Sequence, residues 1–140
     1  MTFLSKGTAA DLEHAPMKVL VVDDSNDMLQ LLAAWLEDAG YIVATATSGM
    51  QALDMARSHD PDIVLLDVVI PPPDGFAVCE SLQQQERPPE IILMTGLQDR
   101  LRLRRADELG GLVLLRKPFT SEVVVDAVRQ AALRRAAVRA

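Results

Sequence analysis

Cysteine and long apolar runs are scarce in this sequence, and each absence excludes a class of protein. A single cysteine, Cys79, among 140 residues excludes an intrachain disulfide and a cysteine-ligated zinc site. The apolar runs are only a few residues long, whereas a membrane-spanning helix needs about 20. Residues 1–17 likewise lack the sustained apolar segment of a signal peptide. We therefore expect one soluble, cytoplasmic domain.

Positive charge is scarce in the first part of the chain. Residues 1–86 hold 14 acidic and 3 basic side chains, a net charge of −11, whereas residues 87–140 hold 6 acidic and 11 basic ones, a net charge of +5, so the whole chain carries −6. An acidic chain with 4% aromatic residues is poorly suited to binding nucleic acid. The positive charge of the last third predicts a local basic face, formed mainly by Arg100, Arg102, Arg104, Arg105, Arg129, Arg134, Arg135 and Arg139.

Short β-branched runs alternate with amphipathic stretches from residue 17 onward, after an N-terminal extension at 1–16. Five such βα units in a row predict an α/β fold, with a doubly wound parallel sheet covered by helices on both faces. The strand patterns show no polar alternation, as expected when both faces are buried. The strands are predicted at 19–23, 41–46, 63–67, 91–95 and 112–117, and the third and fourth helices at 76–85 and 98–109.

The helix patterns also predict which side chains face the core. Ser48 and Gln51 have the spacing of a capping box, which predicts the start of the second helix, and Thr120 is placed to cap the last one. The apolar stripe of the first helix comprises Met28, Leu31, Leu32, Trp35 and Ala39. In the last helix it comprises Val124, Ala127, Val128 and Ala131. We expect the domain at 17–137, with no separate output domain after it.

Chemically useful side chains follow four of the five predicted strands. Asp23 and Asp24 end the first strand, Asp67 the third, Thr95 the fourth and Lys117 the fifth. Because ligands bind at the carboxyl ends of parallel strands, these groups are expected to meet at one edge of the sheet. Clustered carboxylates repel unless they share a cation, and hard oxygen ligands suit Mg²⁺. Such a pocket can accept a phosphoryl group, and one carboxylate can form an aspartyl-phosphate.

The motifs at these strand ends resemble the receiver domain of two-component response regulators. The resemblance covers residues 17–137 and includes every motif in order. The motifs are Val21-Val22-Asp23-Asp24-Ser25, Leu66-Asp67, Ile70-Pro71-Pro72-Pro73-Asp74-Gly75, Met94-Thr95-Gly96 and Lys117-Pro118-Phe119. The family has a flavodoxin-like (βα)5 fold, so the resemblance implies the strand order 2-1-3-4-5. It also implies a phosphorylation-dependent signalling protein rather than an enzyme with a separate substrate, although receivers assist their own phosphorylation and dephosphorylation.

The resemblance assigns a role to each residue at the site. Asp67 corresponds to the phosphoacceptor. Asp23 and Asp24 correspond to the acidic pair that binds Mg²⁺ together with Asp67 and the backbone carbonyl of Val69. The phosphoryl donor implied by the family is a sensor histidine kinase or a histidine phosphotransfer protein.

Thr95 and Lys117 complete the resemblance, and two positions depart from it. Thr95 corresponds to the hydroxyl residue that contacts the phosphoryl group and transmits the switch. Lys117 corresponds to the lysine that pairs with the phosphoacceptor, and its bond to Pro118 is expected to be cis, as is typical of the family. Receivers usually have an aromatic residue where this chain has Leu114, and they rarely have prolines at both 72 and 73.

We expect output through a downstream protein partner or a homodimer, without direct DNA or membrane binding. The surface concerned is the helix at 98–109, the fifth strand and the last helix, where the basic face lies. Alternatives from other classes remain open. A flavodoxin-like flavin carrier needs a phosphate loop after strand one, where this chain has acidic residues. An aspartate-nucleophile phosphatase needs a second acid where this chain has Val69. A receiver-like interaction module that is never phosphorylated has no need of the acidic pocket.

Overall fold

The computed structural model describes residues 16–96, 104 and 113–139. Five strands form one parallel sheet in the order β2-β1-β3-β4-β5, which confirms the α/β class and the strand order. The strands are β1 Lys18–Val22, β2 Ile42–Ala46, β3 Ile63–Asp67, β4 Glu90–Thr95 and β5 Val113–Arg116. The described helices are α1 Asn26–Asp38, α2 Gly49–His59, α3 Gly75–Gln83 and α4 Ser121–Arg139. Apart from residue 104, the helix predicted at 98–109 lies outside the described residues, as does the extension at 1–15.

Each face of the sheet carries its own apolar core. One face packs against α2 and α3, with Val64, Leu66 and Leu82 fully buried. The other packs against α1 and α4, with Leu32 and Val128 among its buried members. All five residues of β3 are buried, because this central strand is covered on both faces. The site residues at the strand ends therefore follow strands that are buried in the core.

Helix α1 is rotated about its axis relative to the prediction, so a different set of its residues faces the core. The buried residues are Leu29, Leu32 and Leu36, whereas Leu31 is 44% exposed and Ala39 lies beyond the helix. Met28 and Trp35 are half-buried at the edge of the core. The helix is apolar on neighbouring faces, so its sequence fits two rotations, and packing against β1 and β2 selects the one centred on Leu32.

Side-chain caps set the first residue of the four described helices, and the predicted cap at Thr120 is confirmed, since its Oγ1 accepts from the backbone N–H of Val123, 3.2 Å away, at the start of α4. Ser25, Ser48 and Asp74 accept hydrogen bonds from the backbone N–H groups of Met28, Gln51 and Ala77. The capping box predicted at Ser48 is present in a shifted form, since Gln51 Oε1 accepts from the backbone N–H of Thr47, 2.7 Å away. These caps place the first turns of α1, α2 and α3 at the carboxyl edge of the sheet.

The basic face predicted on the last helix is only partly present. Arg135 is buried, lies 3.5 Å from Asp62 Oδ1 and donates to the Pro88 carbonyl, so it anchors α4 to the amino-terminal edge of the sheet. Arg134 pairs with Glu90 at 2.7 Å. A sequence charge count cannot show that Arg135 is buried while its neighbour Arg134 is exposed. Helix α4 also continues to Arg139, past the predicted domain end at 137.

Two further features concern residues away from the site. Cys79 is completely buried in α3. This burial, with a smaller contribution from the charge of Glu80, raises the pKa of its thiol to about 11. None of the helices in the described ranges has the length and apolarity needed to cross a bilayer.

Candidate functional site

The predicted site residues lie together at the carboxyl edge of the sheet. Asp23 follows β1 directly, Asp67 and Thr95 are the last residues of β3 and β4, and Lys117 follows β5. Asp23, Asp67 and Thr95 are all buried. The predicted convergence of these groups therefore occurs, and it results from the parallel register of four adjacent strands.

Lys117 bridges two carboxylates across the central strands. Its Nζ lies 2.8 Å from Asp23 Oδ2 and 2.9 Å from Asp67 Oδ2. The backbone N–H of Lys117 also donates to the Thr95 carbonyl at 2.8 Å, which extends the pairing of β5 with β4 toward the site. The Lys117–Pro118 peptide bond is cis, as expected. The pairing with Asp67 was expected as well, whereas the equally short contact with Asp23 was not.

The other oxygen of each buried aspartate accepts a backbone hydrogen bond. Asp67 Oδ1 accepts from the N–H of Val69, and Asp23 Oδ1 accepts from the N–H of Ser25, both at 2.9 Å. Each carboxylate is thus held at both oxygens, one by the ammonium and one by the turn that follows its own strand. This arrangement fixes their orientation before any ligand binds.

Three carboxylates lie close enough together to bind one cation. Asp23, Asp24 and Asp67 each offer an oxygen, and these oxygens lie within 4.8 Å of one another. Lys117 contacts two of them, while Asp24 is exposed and has no ion-pair partner in the described part of the chain. The three carboxylates and one ammonium sum to −2, which a divalent cation neutralises. Oxygen donors of this charge and spacing fit Mg²⁺.

The buried charges change the protonation of the site. Burial raises the pKa of the Asp67 carboxyl, and the charge of Asp23 adds to this, although the Val69 N–H and Lys117 act in the opposite direction. Burial lowers the pKa of the Lys117 ammonium, but its hydrogen bonds and attraction to Asp23 and Asp67 outweigh this and raise it above its ordinary value. Lys117 is therefore a fixed positive charge at neutral pH, and the Asp67 carboxyl ionises at a higher pH than an ordinary aspartate.

We expect Asp67 to titrate above its ordinary pKa of 3.8 in the metal-free protein. Because its folded pKa is raised, the unfolded chain loses this proton first as the pH increases. Ionisation of Asp67 therefore lowers the free energy of unfolding, from about pH 4 upward, until the pH passes the folded pKa. Carboxyl ¹³C NMR of Asp67 measures this midpoint directly, and a midpoint at or below 3.8 would contradict the expectation.

The loop after Asp67 is closed tightly onto the backbone of β3. The N–H of Gly75 donates to the Val68 carbonyl at 3.2 Å. A Cβ atom on Gly75 would overlap the Asp67 carbonyl oxygen and lie 2.5 Å from Val68 Cα, so only glycine fits there. Gly75, the first residue of α3, thus brings the start of that helix close to the backbone of the phosphoacceptor candidate. The Pro72–Pro73 peptide bond in this loop is cis.

Leu114, the position that departs from the family pattern, is half-buried in β5. It packs against the core on the α2 and α3 face of the sheet and pairs in register with Leu93. A leucine here contributes apolar contact but has neither a ring nor a hydroxyl to place near Thr95. The contact therefore supports a packing role for this side chain.

Comparison with known proteins agrees with the geometry of the site. The sequence pattern described as the response regulator receiver domain matches residues 19–129. The alkaline phosphatase synthesis transcriptional regulatory protein PhoP of Bacillus subtilis is 38% identical over 123 residues, which cover 88% of this chain and 51% of PhoP. The chemotaxis protein CheY of Halobacterium salinarum is 32% identical over 111 residues, covering 79% of this chain and 92% of CheY. The chain spans about half the length of PhoP and of similar regulators from algae.

A solved structure shows the same fold. The chemotaxis response regulator CheY4 of Vibrio cholerae superposes with a TM-score of 0.77 at 29% identity, over 84% of this chain and 99% of CheY4. The similarity spans nearly the whole of that protein.

Proposed function

The chain belongs to the response regulator receiver domain family and acts in phosphorylation-dependent two-component signalling, and we propose that Asp67 is the residue that receives the phosphoryl group. The observation that carries the proposal is the arrangement of Asp67, buried at the end of the central strand and held at one oxygen by Lys117 and at the other by the Val69 N–H. The domain proposed to do this comprises residues 17–137.

In the proposed reaction, an Asp67 carboxylate oxygen attacks phosphorus while the bond to the donor nitrogen or oxygen breaks. The fixed orientation of the carboxylate lowers the entropic cost of reaching this geometry. Lys117 stays within reach of the transferred group and offsets its negative charge. Asp67 must be ionised to attack, and the Lys117 ammonium, 2.9 Å from its Oδ2, favours the ionised form. The chain thereby assists its own phosphorylation.

Receiver domains bind Mg²⁺ at an acidic pocket, and we propose that Asp23, Asp24, Asp67 and the Val69 carbonyl hold it here. When bound, Mg²⁺ supplies positive charge that a phosphoryl group requires near three carboxylates. Asp23 and Asp67 are already oriented by backbone hydrogen bonds. Asp24 is the exposed member of the set and completes it from the solvent side.

Thr95 and Lys117 are proposed to convert phosphorylation into a signal. Thr95 is buried at the end of β4, and its carbonyl accepts the N–H of Lys117. A new phosphoryl group on Asp67 requires Lys117 to redistribute its contacts, which alters this link between β4 and β5. Since Leu114 carries no ring, we propose that the response is a population shift of the segment after Thr95 without a ring movement.

Proteins of this family interact with histidine kinases and downstream effectors, and the partners of this chain are proposed on that basis. The donor is a sensor histidine kinase or a histidine phosphotransfer protein. The output surface is the segment at 98–109, β5 and α4, which contacts a protein partner or a second copy rather than DNA. Arg135 is buried against the sheet, so the exposed positive charge of α4 in the described residues lies at Arg129 and Arg134, each of which also pairs with a carboxylate.

Dependence on Mg²⁺ tests the proposed function. Wild-type protein incubated with phosphoramidate and Mg²⁺ is expected to gain one phosphoryl group by intact mass, and no group when the metal is chelated. The Asp24→Ala variant should require at least about tenfold more Mg²⁺ for the same extent of labelling, because it lacks one of three charged ligands. Labelling that survives the chelator would refute the role of the metal.

A further inference from the structure

A glycine at the start of α2 contacts the loop that follows Asp67. Gly49 is the first residue of α2, immediately after the cap residue Ser48. A Cβ atom at this position would overlap the Pro73 carbonyl oxygen, and it would lie 2.8 Å from Pro73 Cγ and 3.0 Å from Val78 Cγ2. The first of these neighbours is backbone, which cannot move aside by a rotamer change. The contact therefore requires glycine for space.

The loop between β3 and α3 has little conformational freedom to accommodate a displacement of Pro73. Prolines at 71, 72 and 73 each have a fixed φ. Both ends are held, since the Val68 N–H donates to the Met94 carbonyl and the Val68 carbonyl accepts from Gly75. Ile70 is buried in the core. Val69, 40% exposed, is the loop residue with neither a ring constraint nor a buried side chain on the Asp67 side.

Val69 connects this loop to the phosphoacceptor candidate. Its backbone N–H donates to Asp67 Oδ1 at 2.9 Å, the oxygen that Lys117 does not contact. A displacement of the loop that reaches Val69 weakens this hydrogen bond and frees the carboxylate to rotate about its contact with Lys117. The same displacement moves the Val69 carbonyl, which is a proposed metal ligand.

We propose that Gly49 is a positioning residue for the site: by leaving room for the Pro73 carbonyl, it sets the loop that holds Asp67 Oδ1 through the Val69 N–H. Gly49 touches neither the phosphoryl group nor the metal, and it acts through Pro73 and Val69. The inference rests on the proposed role of Asp67. Its first consequence, a change in the Val69 hydrogen bond, can nevertheless be measured without metal or phosphodonor.

The test compares Gly49→Ala with Ala56→Gly in the same helix. Alanine at 49 favours the helix but overlaps Pro73, whereas Ala56→Gly destabilises α2 nearer its other end, away from the contact with Pro73. In the metal-free protein, amide exchange at Val69 is expected to become about tenfold faster in Gly49→Ala, relative to neighbouring core amides, and to stay unchanged relative to them in Ala56→Gly. The Mg²⁺ dissociation constant should rise about tenfold in Gly49→Ala only.

A second variant reaches the same contact from the loop. Pro73→Ala removes the ring that packs against Gly49. Because residue 73 is only half-buried, we expect this variant to fold. It should also accelerate exchange at Val69. Unchanged Val69 exchange in both loop-contact variants, or equal acceleration in Ala56→Gly, would overturn the proposal. Absence of Mg²⁺ binding to the wild type would instead refute the proposed function. The exchange rate at Val69 would then still decide whether Gly49 positions the loop.

Discussion

Replacing Lys117 by alanine is expected to lower the stability of the metal-free protein by about 3–5 kcal/mol, the usual effect of removing one partner from a buried ion pair. Asp23 and Asp67 are both buried, and the Lys117 ammonium is the positive charge that contacts them. Without it, two carboxylates remain close together in a medium that solvates them poorly. Chemical denaturation at pH 7 measures the loss, and denaturation at a pH low enough to protonate Asp67 should show a smaller one, because a protonated carboxyl needs no counter-charge.

Magnesium distinguishes this electrostatic effect from a general loss of packing. The Lys117→Ala variant should recover much of its stability at millimolar Mg²⁺, since the cation replaces the missing charge. Arg57→Ala is the matched control, because Arg57 pairs with Asp54 on an exposed helix face and exposed pairs contribute at most about 1 kcal/mol. A Lys117→Ala variant as stable as Arg57→Ala would show that the bridge does not hold the site together.

Lys117→Ala should also separate phosphorylation from its consequence. Some labelling is expected to remain, because Asp67 stays in place and Mg²⁺ still supplies charge. The change that phosphorylation causes in amide exchange around Thr95 should be lost, because alanine keeps the backbone N–H that donates to the Thr95 carbonyl but lacks the Nζ that contacts Asp67. A normal exchange response in the variant would refute the role of Lys117 in switching.

The second large effect is expected in Asp67→Asn. An amide is not a nucleophile under these conditions, so labelling by phosphoramidate should fall below about 1% of the wild-type level. Asparagine Oδ1 can still accept the Val69 N–H, so the loop should keep its position. Circular dichroism and thermal unfolding check that the variant is folded. Asp54→Asn, at an exposed position in α2, is a control that should label normally.

The fold and the members of the site were predictable because both depend on a pattern repeated along the chain. Five apolar runs separated by helical patterns require a parallel sheet, and residues that follow those runs meet at one edge. Asp23, Asp67 and Thr95 needed no further information to be placed there. The roles of these residues came from the resemblance of their motifs to a family.

Contacts that depend on exact distances were not predictable. The rotation of α1 was missed because Met28 and Leu29, like Leu31 and Leu32, are apolar neighbours, and only packing against the sheet distinguishes them. The sequence showed a positive charge at Arg135 but not that it lies against Asp62 and Pro88 at the opposite edge. The contact between Gly49 and the Pro73 carbonyl joins segments 24 residues apart, and a glycine alone gives no sign of what it must accommodate.

The position of the phosphoryl group is the most direct test of the central claim. Wild-type protein phosphorylated with phosphoramidate and Mg²⁺ can be reduced with borohydride, which converts an aspartyl-phosphate to homoserine, and the modified residue is then located by peptide mass. We predict a single homoserine, at residue 67. Homoserine at residue 23 or 24, or phosphorylated protein in which Asp67 is unmodified, would contradict the account.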